Sequence, residues 1–253
     1  MKIDINVDMG ESFGRYTLGN DEEVMKYITS ANIAAGFHAG DSLVMEKTIQ
    51  FAKKYNVAIG AHVGLNDKQG FGRREINLTS EELRADVIYQ LGALDGFLKV
   101  NNLKMQHIKP HGILYRMVSE YEIYVDCFLD TVKEYNPELY VVLPENTIAF
   151  ERGKQKELKM VSEMLVDLDY DDSGNWVLER TKKARSPKEV AERALMVAKD
   201  KKIETVTGKL IKADAITVCV HGDSPNAVEV VKEIKEVLIS NGVELSSISN
   251  IYV

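Results

Sequence analysis

The sequence has only two cysteines, Cys127 and Cys219, far apart along 253 residues. Two distant thiols do not make a disulfide scaffold, and each reads as a small buried hydrophobe in a reducing compartment. Excess positive charge is also missing. The net charge is −7, whereas a nucleic-acid binder carries a basic footprint. No apolar run is long enough to span a membrane. The opening MKIDINVDMGES has no apolar stretch behind a basic flank, so no secretory signal is expected. A cytoplasmic protein acting on small molecules follows, with neither nucleic acid nor membrane as partner. The sequence contains no GxxxxGK[ST] loop, no GxGxxG after a strand and no GxSxG elbow. That argues against a standard nucleotide cradle and a serine-histidine-acid triad. No linker, low-complexity tract or fixed-period repeat divides the chain, so residues 1–253 are expected to form one domain.

What is present is a recurring unit: a short β-branched run, a polar break, then a helical pattern. The strand candidates are Ile3–Val7, Asn32–Gly36, Val57–Ala61, Met105–Lys109, Leu139–Leu143, Met160–Val166 and Ala215–Val220. Each is a short, mostly apolar run, as parallel strands covered on both faces are. The helical segments carry start signals. Thr79 with Glu82 forms a capping-box pattern, and Ser186-Pro187 with Glu189 forms another. Ser224-Pro225 opens the last long helix and Asn241-Gly242 closes it. Glu204–Ala213, with Thr207-Gly208 inside it, reads as an inserted hairpin. Strand-helix alternation means parallel strands with right-handed crossovers, in either an open sheet or a closed barrel.

The position of the polar residues decides between those two. Strand one ends in Asn6, Asp8 and Glu11; strand two in His38 and Asp41. Strand three carries His62, then Asp67, Arg73 and Arg74 in the next loop. Strand four ends in Lys109 and His111, strand six in Asp167 and Asp169, and strand seven in His221 and Asp223. In a β/α barrel such ends converge on one face, where active sites lie. In an open sheet they spread along an edge, with ligands only at the switch point. Six loaded strand ends favour a seven-stranded (β/α) barrel. A lone histidine at a strand end is usually structural, but four at equivalent positions point to one shared site.

Within that site the residue types suggest roles. Gly70-Phe71-Gly72-Arg73-Arg74 is a basic glycine loop. Its glycines let backbone N–H groups approach an anion, and its arginines suit phosphate or carboxylate. The same segment also reads as a surface turn with solvated arginines. Asp41 and Asp223 each follow a histidine and precede a helix, where aspartate is a common N-cap. Lys109 suits an oxyanion, and His111 or His62 suits proton transfer. Asp8, His62 and His111 come from three strands and form a candidate oxygen-nitrogen triad for a divalent metal.

Taken together, these motifs resemble the LamB/YcsF-like family, whose members act as the first subunit of bacterial 5-oxoprolinase. The resemblance rests on Asp4-Ile5-Asn6-Val7-Asp8-Met9-Gly10-Glu11, Ser30 through Asp41, Gly60-Ala61-His62, Gly70 through Arg74, Tyr89 through Leu94, Lys109-Pro110-His111-Gly112, and Cys219 through Asp223. It covers nearly the whole chain. It implies a barrel of the glycoside hydrolase/deacetylase type, and ATP-driven opening of the 5-oxoproline lactam together with two partner subunits. From their places at the strand ends, Asn6, Arg73, Arg74 and Asp167 are the candidate substrate- and phosphate-binding set beside the strand-end histidines. A metal-dependent deacetylase or amide hydrolase acting on a related small substrate is the alternative, and a binding protein for a small anionic metabolite is a third reading. The chain departs from the family pattern at Ala35, usually cysteine, at Val63–Asn66, and at Arg116, usually asparagine. It departs most at Leu168, where an arginine is usual. Arg116 and Arg180 are the candidates to replace that arginine.

Overall fold

A computed structural model describes residues 1–177 and 183–252. In chain order the strands are β1 (Lys2–Met9), β2 (Ser30–Ala34), β3 (Ala58–Val63), β4 (Met105–Pro110), β5 (Tyr140–Leu143) and β6 (Lys159–Leu165). A hairpin of β7 (Lys202–Glu204) and β8 (Leu210–Lys212) follows, then β9 (Thr217–His221) and a short β10 (Glu244–Leu245). Strands β1 to β6 and β9 are parallel and pair in sequence, and β1 pairs with β9 to close a seven-stranded barrel. β10 lies parallel to the start of β1, with Lys2 opposite Glu244. The hairpin sits where Glu204–Ala213 places it.

Helices α1 (Asp21–Val24), α2 (Ser42–Tyr55), α3 (Ser80–Val100), α4 (Gly112–Glu120), α5 (Glu122–Tyr135), α6 (Ile148–Gln155), α7 (Pro187–Asp200), α8 (Ala227–Ser240) and α9 (Ile248–Ile251) complete the described elements. In α3, Leu83, Val87, Leu91, Leu94 and Leu98 are buried at intervals of three and four, the stripe of a helix docked on one face. Each such side chain contributes about 1.5–3 kcal/mol by leaving water. The Thr79–Glu82 capping box forms as the sequence indicates, and the Ser186 side chain accepts from Glu189 N. α8 begins later than Ser224-Pro225 suggests. Ser224 N donates to His221 O in a turn, and Asn226 spends its side chain on the backbone of Arg185. β2 ends two residues before Gly36, because Gly36 turns the chain with φ +92° and donates to Ala39 O. None of the described helices is long and apolar enough to cross a membrane.

The strands are not apolar on both faces. Ile3, Ile5, Val7 and Met9 of β1 join the main apolar core, while Asp4, Asn6 and Asp8 alternate with them. The pairing register carries this alternation around the barrel. Asp4, Asn6 and Asp8 stand opposite Thr217, Cys219 and His221; Asn32 stands opposite Gly60; Gly60 and His62 stand opposite His107 and Lys109. Side chains two apart share a face, so the lumen is a stacked polar column. Gly60 leaves room for it, since a Cβ there would lie 2.1 Å from His107 Nε2.

Candidate functional site

The lower part of the column is a closed hydrogen-bond network. Asn6 Nδ2 donates to Glu163 Oε1 (2.9 Å) and Thr217 Oγ1 (2.7 Å), and Asn32 Nδ2 donates to Asn6 Oδ1 (2.7 Å) and Asp8 Oδ1 (2.8 Å). His107 Nε2 meets Asn32 Oδ1 at 2.6 Å, and Tyr115 OH donates to Glu163 Oε2 at 2.8 Å. Lys109 Nζ reaches Glu163 Oε1 (2.8 Å), Asp8 Oδ1 (3.1 Å) and Cys219 Sγ (2.9 Å). Burial works against the Lys109 charge, but the carboxylates of Asp8 and Glu163 outweigh it and hold its pKa well above the ordinary lysine value. Burial likewise raises the pKa of Asp8, yet its contacts with His62 and the charge of Lys109 prevail and keep its carboxyl well below the usual range. Cys219 is therefore more than a small hydrophobe. Burial keeps its thiol protonated against the pull of Lys109, and it sits in the polar column. Cys127 is half-buried, and both thiols are free.

Above this network four side chains converge: Glu11, His38, His62 and His111. Their donor atoms all lie within 4.8 Å of one another. The rings of His38 and His111 stack at 3.8 Å between centroids. Among the described residues this set differs from the triad read from the sequence. Glu11 and His38 join His62 and His111, while Asp8 stands just outside with Oδ2 3.3 Å from His62 Nε2. Its Oδ1 is already committed to Asn32 and Lys109.

The fit of this set to a divalent cation follows from where the protons must be. His62 Nδ1 faces the Lys109 carbonyl at 3.0 Å, and His111 Nε2 faces the Phe71 carbonyl at 2.8 Å. A carbonyl only accepts, so each of those nitrogens carries the hydrogen. The inner nitrogens, His62 Nε2 and His111 Nδ1, then present lone pairs to each other at 2.9 Å. Burial and the neighbouring His62 hold the pKa of His111 well below the ordinary histidine value, which disfavours a shared extra proton. His38 Nε2 is 3.4 Å from Glu11 Oε1, yet neither atom is hydrogen-bonded, and nor is His38 Nδ1. Buried polar atoms without partners call for an explanation, and donors on one tetrahedral ion stand about 3.3 Å apart. The residues therefore fit a divalent cation held by three imidazoles and a carboxylate.

The remaining sequence candidates divide into two groups. A compartment of about 50 Å³ is bounded by Asp8, His62, Lys109 and His111 together with Arg73, His221, Leu165, Leu168, Tyr115 and Trp176. Arg73 donates to Asp223 Oδ2 at 2.9 Å. His221 Nδ1 meets both oxygens of Asp167 at 3.0 Å, leaving Nε2 for a ligand. Asp41 and Arg74 are not brought to this compartment. Asp41 caps α2 through Leu43 N and Val44 N and also accepts from Gly14 N. Arg74 turns outward onto Asp67, bracing the glycine loop. Arg116 is committed to Glu120, and Arg180 lies outside the described residues. Leu168 thus faces the compartment as an apolar wall. Sequence reasoning missed Asn32, His107, Tyr115, Glu163 and Trp176.

Residues 3–253 match the model of the LamB/YcsF family. A Staphylococcus epidermidis protein named as a 5-oxoprolinase subunit is 42% identical, over 98% of this chain and 99% of its own length. A Thermococcus sibiricus protein of the same name is 43% identical, over 98% of both. The crystal structure of a lactam utilization protein from Thermus thermophilus matches with a TM-score of 0.91 and 38% identity, covering 97% of this chain and 99% of that one.

Proposed function

Because the chain belongs to the LamB/YcsF family, we propose that it is the lactam-processing subunit of an ATP-dependent 5-oxoprolinase. In this reading it yields glutamate from 5-oxoproline together with two partner chains, in the cytoplasm. The observation that carries the reading is the convergence of Lys109, His62, His111, Arg73 and His221 on one small compartment, in a chain over 40% identical to relatives bearing that name.

A five-membered lactam is stable, so its hydrolysis needs coupling. Transfer of a phosphoryl group from ATP to the amide oxygen turns that oxygen into a leaving group. Water then adds at the carbonyl carbon, the C–N bond breaks as the ring nitrogen gains a proton, and the γ-glutamyl phosphate so formed is hydrolysed by a second water to glutamate and inorganic phosphate. We assign the nucleotide to a partner chain. The sequence has no phosphate loop to cradle one.

Within this chain, Lys109 stays charged and stabilises negative charge developing on the lactam oxygen. Arg73, fixed by Asp223, holds the substrate carboxylate or phosphate. His221, oriented through Nδ1 by Asp167, moves the proton at Nε2. Asp8, held ionised beside His62 and Lys109, sets a further carboxylate 3.3 Å from His62 Nε2. A divalent cation among Glu11, His38, His62 and His111 would supply Lewis-acid polarisation or an acidified water. That same cluster favours the second reading, a metal-dependent amide hydrolase or deacetylase.

The test is glutamate release from 5-oxoproline and ATP, with this chain alone, with its partner chains, and with His111→Ala or His221→Ala in place of wild type. Glutamate is expected only with partners, and a loss of about a hundredfold or more in each variant. Turnover of an amide or acetylated substrate by the chain alone, abolished by chelator, would replace this reading with the second.

A further inference from the structure

Beside the reaction compartment lies a cavity of about 220 Å³, reached past Tyr115, Leu165 and Trp176, which border both spaces. It is larger than the roughly 150 Å³ that holds a benzene ring in an engineered core. Two aromatic rings stand between the spaces. Tyr115 and Trp176 meet edge to face, centroids 5.4 Å apart. The phenol cannot swing freely, because Tyr115 OH is tied to Glu163 Oε2 at 2.8 Å and the ring is buried. Trp176 is half-buried, and its backbone is bridged to Tyr170. On the reaction side, Trp176, Leu165 and Leu168 supply apolar lining to the compartment that Lys109, His111 and Arg73 also line.

We propose that Trp176 is the specificity-determining residue for substrate size: its indole, braced by Tyr115, limits the site to a small lactam and keeps bulkier ring substituents out of the adjoining cavity. The polar side of the compartment holds the charged and reacting groups, so the ring methylenes of a lactam turn to the Leu165–Leu168–Trp176 wall. A substituent on those carbons points at the indole. Removing the indole joins the two spaces and gives such a substituent a place to go. The inference rests on the lactam reading for its choice of ligands.

The full chain is titrated calorimetrically with 5-oxoproline and with a derivative carrying a benzyl group on a ring carbon, using wild type, Trp176→Ala and Trp176→Phe. Trp176→Ala is expected to bind the benzyl derivative at least about tenfold more tightly than wild type, while 5-oxoproline weakens by less than about tenfold. Trp176→Phe, which keeps a ring in place, is expected to discriminate as wild type does. Trp176 is the only tryptophan in the chain, so wild-type emission reports the contact with no variant at all, and it is expected to shift as 5-oxoproline binds. If 5-oxoproline binds both proteins but the benzyl derivative gains nothing in Trp176→Ala, the wall proposal is overturned and the lactam reading stands. If wild-type emission is unmoved by calorimetrically proven binding, the contact is likewise overturned. If only the benzyl derivative binds, and only to Trp176→Ala, the wall stands and 5-oxoproline falls as substrate. Binding of neither ligand to any form overturns both.

Discussion

Lys109 Nζ stands 2.8 Å from Glu163 Oε1 inside the barrel, with both side chains buried. A charge in that position is stable only while its partners remain. Glu163 also takes hydrogen bonds from Asn6 and Tyr115, so β1, β4, β6 and α4 meet at one carboxylate.

Truncating this carboxylate strands the ammonium. Glu163→Ala is expected to cost about 3–5 kcal/mol of unfolding free energy, and Glu163→Gln clearly less, since the amide still accepts from Lys109. Urea unfolding followed by circular dichroism decides. A loss below about 1 kcal/mol for the alanine variant would mean that water or Asp8 compensates the charge.

The cluster of Glu11, His38, His62 and His111 is expected to bind one equivalent of a divalent ion, read by elemental analysis of the full chain after equilibration with zinc or manganese. His38→Ala, His62→Ala and His111→Ala should each weaken binding by about a hundredfold or more. Gly64→Ala should do so without touching a donor, since a Cβ at Gly64 would lie 2.4 Å from His38 Nδ1 and push the ring off the cluster. Metal at a hundred times Kd adds about 2.7 kcal/mol of stability, so chelation should lower Tm in wild type and not in the variants. Equal metal content in wild type and His62→Ala would refute the site.

Asp4, on the same polar face of β1, provides a pH dependence of its own. Its carboxyl accepts from the hydroxyls of Thr29, Ser30 and Thr217. Burial nevertheless raises its pKa from 3.8 to about 6. The folded chain therefore holds the proton more tightly than the unfolded chain does. The stabilisation is complete below about pH 4 and is lost as pH rises through about 6, and a gap of roughly two pH units is worth about 3 kcal/mol. Asp4→Asn lacks this titration, so the stability of wild type relative to the variant should fall across that window and level off above it. Parallel curves for the two proteins would contradict the assignment.

Much of the site is legible in the sequence because strand ends are. A histidine or carboxylate after a β-branched run must emerge at the barrel rim, and Asp8, His62, Lys109, His111 and His221 do. Asp41 and Arg74 stand away from the compartment, as an N-cap and a loop brace, which have the same composition as an anion site. The lumen residues were harder to see, because Asn32, His107 and Glu163 look like interruptions in apolar strands. A signal was present in Asp4-x-Asn6-x-Asp8 and His107-x-Lys109, whose period of two puts each set on one strand face. Trp176 gave no such signal. It lies beyond β6, bridged to Tyr170, and its place at the compartment depends on packing against Tyr115, which no local pattern encodes.

The pairing of β1 with β9 has a consequence for how the molecule comes into being. Asn6 finds Glu163 across 157 residues and Thr217 across 211. Contacts so distant carry a large loop-closure entropy and form late. On the ribosome the first strand emerges with its polar face unmatched, and it waits for β6 and β9 before Asp8 and Lys109 can settle. The candidate site is therefore completed only by the last strand of the barrel, and a nascent chain short of β9 lacks Thr217, Cys219 and His221.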